Sequence, residues 1–189
     1  MKNTLYLISN EKIFQNNEMF FCDNLDMKST PEGLNKHFDV KIIARKSKVN
    51  RLQKLNLRTI KTFSNILSYV LEIIKSSKHN NSQFLIISLN PFTFLAGIVL
   101  ILLGRKPYLY LRSNGYDEYK IILGFLGKFI YHLMFTIITR FSILISCREY
   151  ILMGKKGHII SPSQLDTSWH QNHVKPSISE IRLIYVGRI

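Results

Sequence analysis

The residues best suited to chemistry in this 189-residue sequence stand at its very end. An apolar run from Leu183 to Val186 leads directly into Gly187 and Arg188. A strand that ends in glycine is typical of the first turn of a nucleotide-binding βα unit, because glycine lets the backbone approach a phosphate and the next helix offers its N-terminus. The pattern therefore indicates a phosphate-binding turn, with a solvated terminal arginine as the alternative.

A second group of polar residues follows the apolar run Tyr108 to Leu111. Open α/β sheets bind ligands at the carboxyl ends of their strands, so we predict that these residues line a cleft. They are Arg112, Ser113, Asn114 and Asp117. The alternative is an ordinary polar loop in which Asp117 lies near a helix N-terminus.

Other kinds of chemistry have no support in the sequence. The histidines form no zinc-binding pattern, and Cys22 and Cys147 are too far apart in sequence to indicate a metal site. Hydrolase elbows, phosphate-binding Walker loops and complete dinucleotide-binding motifs are also missing. We expect no metal and no cofactor, two half-buried or buried cysteines, and a reducing compartment.

The formal charge of +14, from 26 basic and 12 acidic residues, predicts an anionic partner. No acid occurs from Val40 to Leu71, so the charge is concentrated there. Few aromatic residues interleave the cations, which favours an anionic membrane surface over nucleic acid. A solvated helix face is the default alternative. The predicted membrane-surface residues are Lys48, Arg51, Lys54, Arg58 and Lys61.

The elements that must position these residues alternate between strands and helices, which predicts an α/β fold with a mostly parallel sheet. Short apolar runs predict strands at Thr4–Ser9, Val40–Ala44, Phe84–Leu89, Tyr108–Leu111, Phe141–Ser146 and His158–Ser161.

Four segments connect or cover those strands. For residues 10–39 we expect a long loop with a turn at Pro31–Gly33 and one short helix. Apolar spacing predicts an amphipathic helix from Val49 to Lys75. Pro91–Gly104 is predicted to be a buried helix, because it is shorter than the ~20 residues that span a bilayer. Residues 121–147 are predicted to form a helix and then a strand, with monotopic membrane contact left open.

Taken in order, these segments resemble the N-terminal half of a GT-B glycosyltransferase of the family 4 type. The most specific match is residues 181–189, which resemble the strand and Gly-Arg turn that open the family's nucleotide-sugar domain. Further similarity lies in residues 38–45, 111–115, 145–150 and 159–166.

The resemblance implies a Rossmann-like sheet with helices on both faces in residues 1–178, and a linker and first strand of a donor-binding domain in residues 179–189. It implies a nucleotide-sugar donor whose diphosphate contacts Gly187 and Arg188, and a polysaccharide or lipid-linked acceptor. The family's glycine pair after the first strand is replaced by Ser9-Asn10-Glu11-Lys12, and its donor-binding lysine and paired glutamates would follow Ile189. We therefore expect this chain to be inactive alone.

The predicted location is the cytoplasm, peripheral on the inner face of the membrane. One alternative function is a non-enzymatic, basic protein that binds the membrane surface. Another is a polytopic membrane protein built on Pro91–Gly104 and Ile121–Cys147.

Overall fold

The computed structural model describes residues 2–79 and 81–161, which form nine strands and four α-helices. The strands are β1 (Thr4–Asn16), β2 (Met19–Cys22), β3 (Asp39–Lys46), β4 (Gln53–Leu55), β5 (Thr59–Phe63), β6 (Ser82–Ile87), β7 (Tyr108–Leu111), β8 (Ile143–Ser146) and β9 (His158–Ile159). The helices are α1 (Asp26–Leu34), α2 (Ile66–Ser77), α3 (Pro91–Leu102) and α4 (Gly115–Thr139), with a 3-10 turn at Glu149–Leu152.

Seven of the strands pair in parallel, in the order β5-β3-β1-β6-β7-β8-β9. Strand β1 lies between β3 and β6, and its residue Leu7 is opposite both Ile42 and Leu85. The other two strands, β2 and β4, extend the far end of β1 as an antiparallel ribbon. The predicted α/β class with a mostly parallel sheet is confirmed.

Successive side chains of β1 enter two different hydrophobic cores. Leu5 and Leu7 pack in one core with Met27 of α1. Tyr6 and Ile8 pack in the other core, which contains residues of α2, α3 and α4 such as Tyr69, Leu100 and Phe135. Because strand side chains alternate between faces, helices cover the sheet on both sides.

Asparagine side chains begin three of the helices. Asn65 Oδ1 accepts a hydrogen bond of 2.8 Å from the Ser68 N–H at the start of α2. Asn90 caps α3 together with Thr93, and Asn114 caps α4. These caps satisfy backbone N–H groups that have no partner inside the helix, so they determine where each helix starts.

The predicted helix from Val49 to Lys75 is wrong in its first half. Gln53–Leu55 pairs with β2 and Thr59–Phe63 pairs with β3, so the helix begins only after the Asn65 cap. The apolar residues that suggested a helix face do not share one environment, since Leu52 is 87% exposed whereas Ile60 is 8% exposed. The apolar residues are spaced as on a helix face, but the segment gains more by pairing with the edges of β2 and β3.

Of the long loop and one short helix predicted for residues 10–39, the short helix is confirmed as α1 and the long loop is wrong. Strand β1 continues to Asn16, turns back as β2, and is followed by α1. Pro31 lies inside α1 rather than in a turn.

Other expectations of the local structure hold. The helix at Pro91 and the helix followed by a strand after Ile121 are confirmed, and the last predicted strand is shortened to β9. The boundary at residue 178, the segment 179–189 and the residues Gly187 and Arg188 lie outside the described residues.

Helix α4 is bent at Gly124, where the backbone has φ 63° and ψ −144°. Beyond the bend, Gly127 lies so close to the first part of the helix that a Cβ there would overlap the carbonyl oxygen of Tyr119. The two parts of α4 therefore pack directly on each other, and this packing requires glycine at position 127.

We predict that Gly127→Ala destabilises the fold by about 1 to 3 kcal/mol, because the added methyl group must push the Tyr119 carbonyl away. Thermal or urea unfolding measures the effect. Gly33→Ala is the matched control, since position 33 is in a helix with nothing within 4 Å of the new Cβ. The control is expected to gain about 0.5 to 1 kcal/mol from helix propensity. Equal stability of the two variants would contradict the proposed packing.

Candidate functional site

The polar residues of interest gather at the carboxyl edge of the sheet, between the ends of β1 and β6. From β1 the chain continues to β3 on one side, with α1 on one face of the sheet. From β6 it continues to β7 on the other side, with α3 on the opposite face. Open α/β sheets bind ligands between adjacent strand ends whose connections diverge in this way, and this region is named here the crevice.

A bulge in β1 brings Glu11 to this edge. Ile8 is opposite Ile43 and Lys12 is opposite Arg45, so three residues of β1 face one residue of β3. Within the bulge, the Glu11 N–H donates to Ser9 Oγ at 3.1 Å. Bulges bend a strand and redirect its side chains, and they are frequent beside active sites.

Arg112 crosses the crevice from the end of β7. Its Nε donates to Ser88 Oγ at 3.3 Å, and its Nη1 lies 3.2 Å from Asp26 Oδ2 at the start of α1. Ser88 follows β6 with a φ of 61°, a conformation that is uncommon for residues other than glycine. This strained backbone places the Ser88 hydroxyl within reach of the arginine, and such strain is frequent at functional sites.

Glu11 carries a perturbed pKa. Burial raises the pKa of this carboxyl above its ordinary value of 4.5, and the charge of Asp23 raises it further. A backbone hydrogen bond from Asp23 and the charges of Arg112 and Arg51 act in the opposite direction. The two arginines therefore lie near one half-buried carboxyl group, and each arginine also has a carboxylate partner of its own.

Glu11, Asp26, Ser88 and Arg112 are named here the crevice cluster. A carboxyl group whose pKa is raised by burial is a stronger base than an ordinary glutamate once it is ionised, so it can accept a proton from a ligand. A guanidinium held by a serine and a carboxylate is fixed in orientation and can donate hydrogen bonds to a hydroxyl or an anion. The arrangement can thus orient a hydroxyl group and accept its proton.

The structure separates the four predicted cleft residues. Arg112 enters the crevice cluster, and Ser113 lines a shallow depression next to Ser88. Asn114 caps α4 through the N–H of Tyr116 at 3.1 Å, and its Nδ2 donates to Asp117 Oδ2 at 2.6 Å. Asn114 and Asp117 therefore match the alternative prediction, a polar loop at a helix N-terminus. Both residues line a different surface pocket of about 640 Å³.

A second feature of the same edge is a pocket of about 540 Å³ with a basic lining. Arg45 is held by Asn10 Oδ1 at 3.3 Å, and Arg51 by Asp23 and Ser47. The cations that line this basic pocket are Lys12, Arg45, Lys46, Lys48 and Arg51. Because Arg51 also acts on Glu11, the basic pocket and the crevice cluster are electrostatically connected.

The five predicted membrane-surface cations do not share a helix face. Lys48 and Arg51 line the basic pocket, whereas Lys54 is on β4 and Arg58 precedes β5. Lys61 is on β5 and pairs with Glu72 at 2.7 Å. The segment forms strands rather than one helix, so its cations are not aligned on a single helical face, and their role at a membrane stays a prediction.

Sequence reasoning missed most of the crevice cluster. The sequence singles out Glu11 only as a departure from a glycine pair, and it does not single out Asp26 or Ser88. A signal exists for Glu11, which follows the predicted strand Thr4–Ser9, and for Ser88, which is a polar residue near the end of the predicted strand Phe84–Leu89. Asp26 has no such signal, because its position depends on the hairpin and helix that replace the expected loop.

The cysteines match their expectation, with Cys22 buried and Cys147 half-buried and both unpaired. In residues 2–79 and 81–161, no group of three His, Cys, Asp or Glu side chains is arranged to hold a metal ion. Comparisons with known protein families, with curated proteins and with solved structures find no match to this chain.

We predict that Glu11→Gln stabilises the protein at pH 7.5 and leaves its stability unchanged at acidic pH. A folded-state pKa above the ordinary value means that stability falls as pH rises from 4.5 through the folded-state pKa, because a half-buried carboxyl group must ionise. Glutamine removes that cost. Thermal unfolding at pH 7.5 and about pH 4 measures the difference.

Glu18→Gln is the matched control, since Glu18 is exposed in the turn between β1 and β2. It is expected to melt like the wild type at both pH values. A Glu11→Gln protein that is less stable than the wild type at pH 7.5 would show that the arginines outweigh burial.

Proposed function

We propose that this chain contains the acceptor-side domain of a GT-B glycosyltransferase of the family 4 type, with a Rossmann-like fold. Counting only the parallel strands along the chain, their spatial order is 3-2-1-4-5-6-7. Doubly wound dinucleotide-binding sheets share the order 3-2-1-4-5-6 and bind ligands where that order reverses. The observation that carries the proposal is the crevice cluster at this reversal.

In the proposed reaction, the acceptor hydroxyl lies in the crevice against Glu11 and Arg112. The acceptor oxygen forms a bond to the anomeric carbon of a nucleotide sugar, and the bond from that carbon to the diphosphate breaks. Glu11 accepts the hydroxyl proton, and Arg112 holds the acceptor in place. The leaving diphosphate is held by cations of the donor side, with Gly187 and Arg188 proposed among its contacts.

The DNA that follows the codon for Ile189 tests the division into two halves. The proposal expects an open reading frame, in any phase, that encodes a nucleotide-sugar domain with a lysine and two spaced glutamates. Unrelated sequence there would count against the glycosyltransferase. So would turnover of nucleotide sugars by residues 1–189 alone, because the proposal places most donor chemistry outside them.

We predict that Arg112→Lys lowers kcat by about a hundredfold in the enzyme assembled with its donor domain, since lysine cannot contact Ser88 and Asp26 at once in the same fixed orientation. Release of nucleoside diphosphate measures the rate. Arg58→Lys is the control, because Arg58 is exposed and lies outside the crevice. An unchanged rate for Arg112→Lys would remove the crevice cluster from the reaction.

A second candidate is a non-enzymatic protein that binds anionic lipid at a membrane surface. The basic pocket favours it, because three of its cations, Lys12, Lys46 and Lys48, have no ion-pair partner among the described residues. Each lysine near an anionic surface contributes about 1 kcal/mol to binding.

For this candidate we predict that the triple variant Lys12→Gln/Lys46→Gln/Lys48→Gln binds anionic vesicles about a hundredfold more weakly at low salt. The triple variant Lys54→Gln/Arg58→Gln/Lys106→Gln removes the same charge from exposed positions outside the basic pocket. Sedimentation with vesicles compares them. Equal losses would indicate general charge attraction, and inorganic pyrophosphate as competitor shows whether the basic pocket recognises phosphate itself.

A further inference from the structure

We infer that the bend of helix α4 inserts into the surface of an anionic lipid bilayer. Residues 121–126 are named here the α4 tip. The inference concerns a surface other than the crevice cluster and the basic pocket, and it does not depend on the transfer reaction proposed above.

The α4 tip exposes five large apolar side chains within six consecutive residues. Ile121 and Phe125 are each 85% exposed, and Ile122 is 71% exposed. Leu123 and Leu126 are also more than half exposed, and Phe129 and Leu133 follow in the same helix. Single exposed apolar residues are ordinary, but a contiguous group marks an interaction site.

The packing of α4 on both sides of the bend keeps the apolar side chains of the α4 tip exposed. Gly124 interrupts the helix, and the close contact between Gly127 and the Tyr119 carbonyl fixes the two parts against each other. Below the bend, the rings of Tyr116 and Tyr119 pack on Tyr131 with centroids 4.9 and 5.3 Å apart. The α4 tip is therefore attached to the core on both sides while its own side chains remain exposed.

The charges around the α4 tip favour lipid over a protein partner. Lys120 and Lys128 stand four residues before and four residues after Gly124, and both are exposed. No acidic residue occurs from Tyr119 to Arg148. Lysine stems extend along apolar surface while the ammonium groups reach phosphate headgroups, so an apolar group between two lysines fits an anionic interface.

The α4 tip enters the interface but does not span the bilayer. In the described part of the chain, α4 is the one helix long and apolar enough to cross a membrane by length and composition. The bend leaves only residues 125–139 after it, fewer than the ~20 that a span needs. Tyr131, Met134, Phe135 and Ile138 of that part are buried in the core, which a span would dismantle.

Membrane contact at the α4 tip would also bring the crevice cluster close to the membrane surface. Helix α4 begins three residues after Arg112, at the carboxyl edge that carries the crevice cluster. A protein anchored by the α4 tip therefore keeps this edge close to lipid headgroups. The basic pocket adds positive charge at the same edge.

Flotation with vesicles tests the inference. One set of vesicles is neutral phosphatidylcholine and the other contains about a third of phosphatidylglycerol, each at low and high salt. We predict that Ile121→Ser/Phe125→Ser loses at least tenfold in partitioning to the anionic vesicles. Leu52→Ser/Leu67→Ser is the matched control, because these residues are 87% and 75% exposed and lie outside the α4 tip. It is expected to bind like the wild type.

A tryptophan in the α4 tip reports insertion directly. The chain has a single tryptophan, Trp169, so Phe125→Trp is made in a Trp169→Phe background. Anionic vesicles are expected to shift the emission of the introduced tryptophan to the blue and to allow its quenching by lipids brominated near the headgroup. Leu52→Trp in the same background is expected to show neither effect.

The inference is overturned if the double variant of the α4 tip floats like the wild type, or if the emission of the introduced tryptophan does not change with vesicles. If the same double variant converts a dimer to a monomer in sedimentation without lipid, the α4 tip contacts a second copy of the chain and not lipid.

Resistance to extraction with alkaline carbonate would indicate a membrane span instead. Loss of flotation with intact turnover in the assembled enzyme leaves the proposed transfer standing and supports the insertion.

Discussion

The burial of β1 on both of its faces is the constraint from which the rest of the structure follows. Leu7 and Ile8 are fully buried in opposite cores, so β1 must have a parallel neighbour on each edge and a helical layer on each face. Its neighbours β3 and β6 then continue in opposite directions across the sheet. The crevice at the carboxyl edge is a direct consequence, because the chain leaves these strand ends on opposite faces.

Strand β1 also continues past the end of its neighbour β6, and this extension connects two charged regions. The bulge at its edge carries Glu11, and the next residue, Lys12, lines the basic pocket. Arg51 is paired with Asp23 and acts on Glu11, so a ligand that changes the charge in one region alters the field in the other.

Helix α4 combines a structural half and an exposed half. Its second part completes the core with Tyr131 and Phe135, whereas the residues around Gly124 face outward. Two glycines make this division, one by its positive φ and the other by allowing contact with Tyr119. The apolar composition of the whole helix thus covers two different environments, a part that is buried in the core and a part that is exposed.

The sequence by itself determined the α/β class, six of the seven parallel strands and the helix at Pro91, because short apolar runs with polar flanks have few other solutions. It also indicated Arg112 at a strand end. Only the tertiary structure decided that residues 49–63 form strands, since a short segment adopts the conformation that an existing edge offers. Likewise, Asp26 pairs with Arg112, and Glu11 lies within the field of that arginine, only because the bulge, the hairpin and α1 bring together residues far apart in the chain.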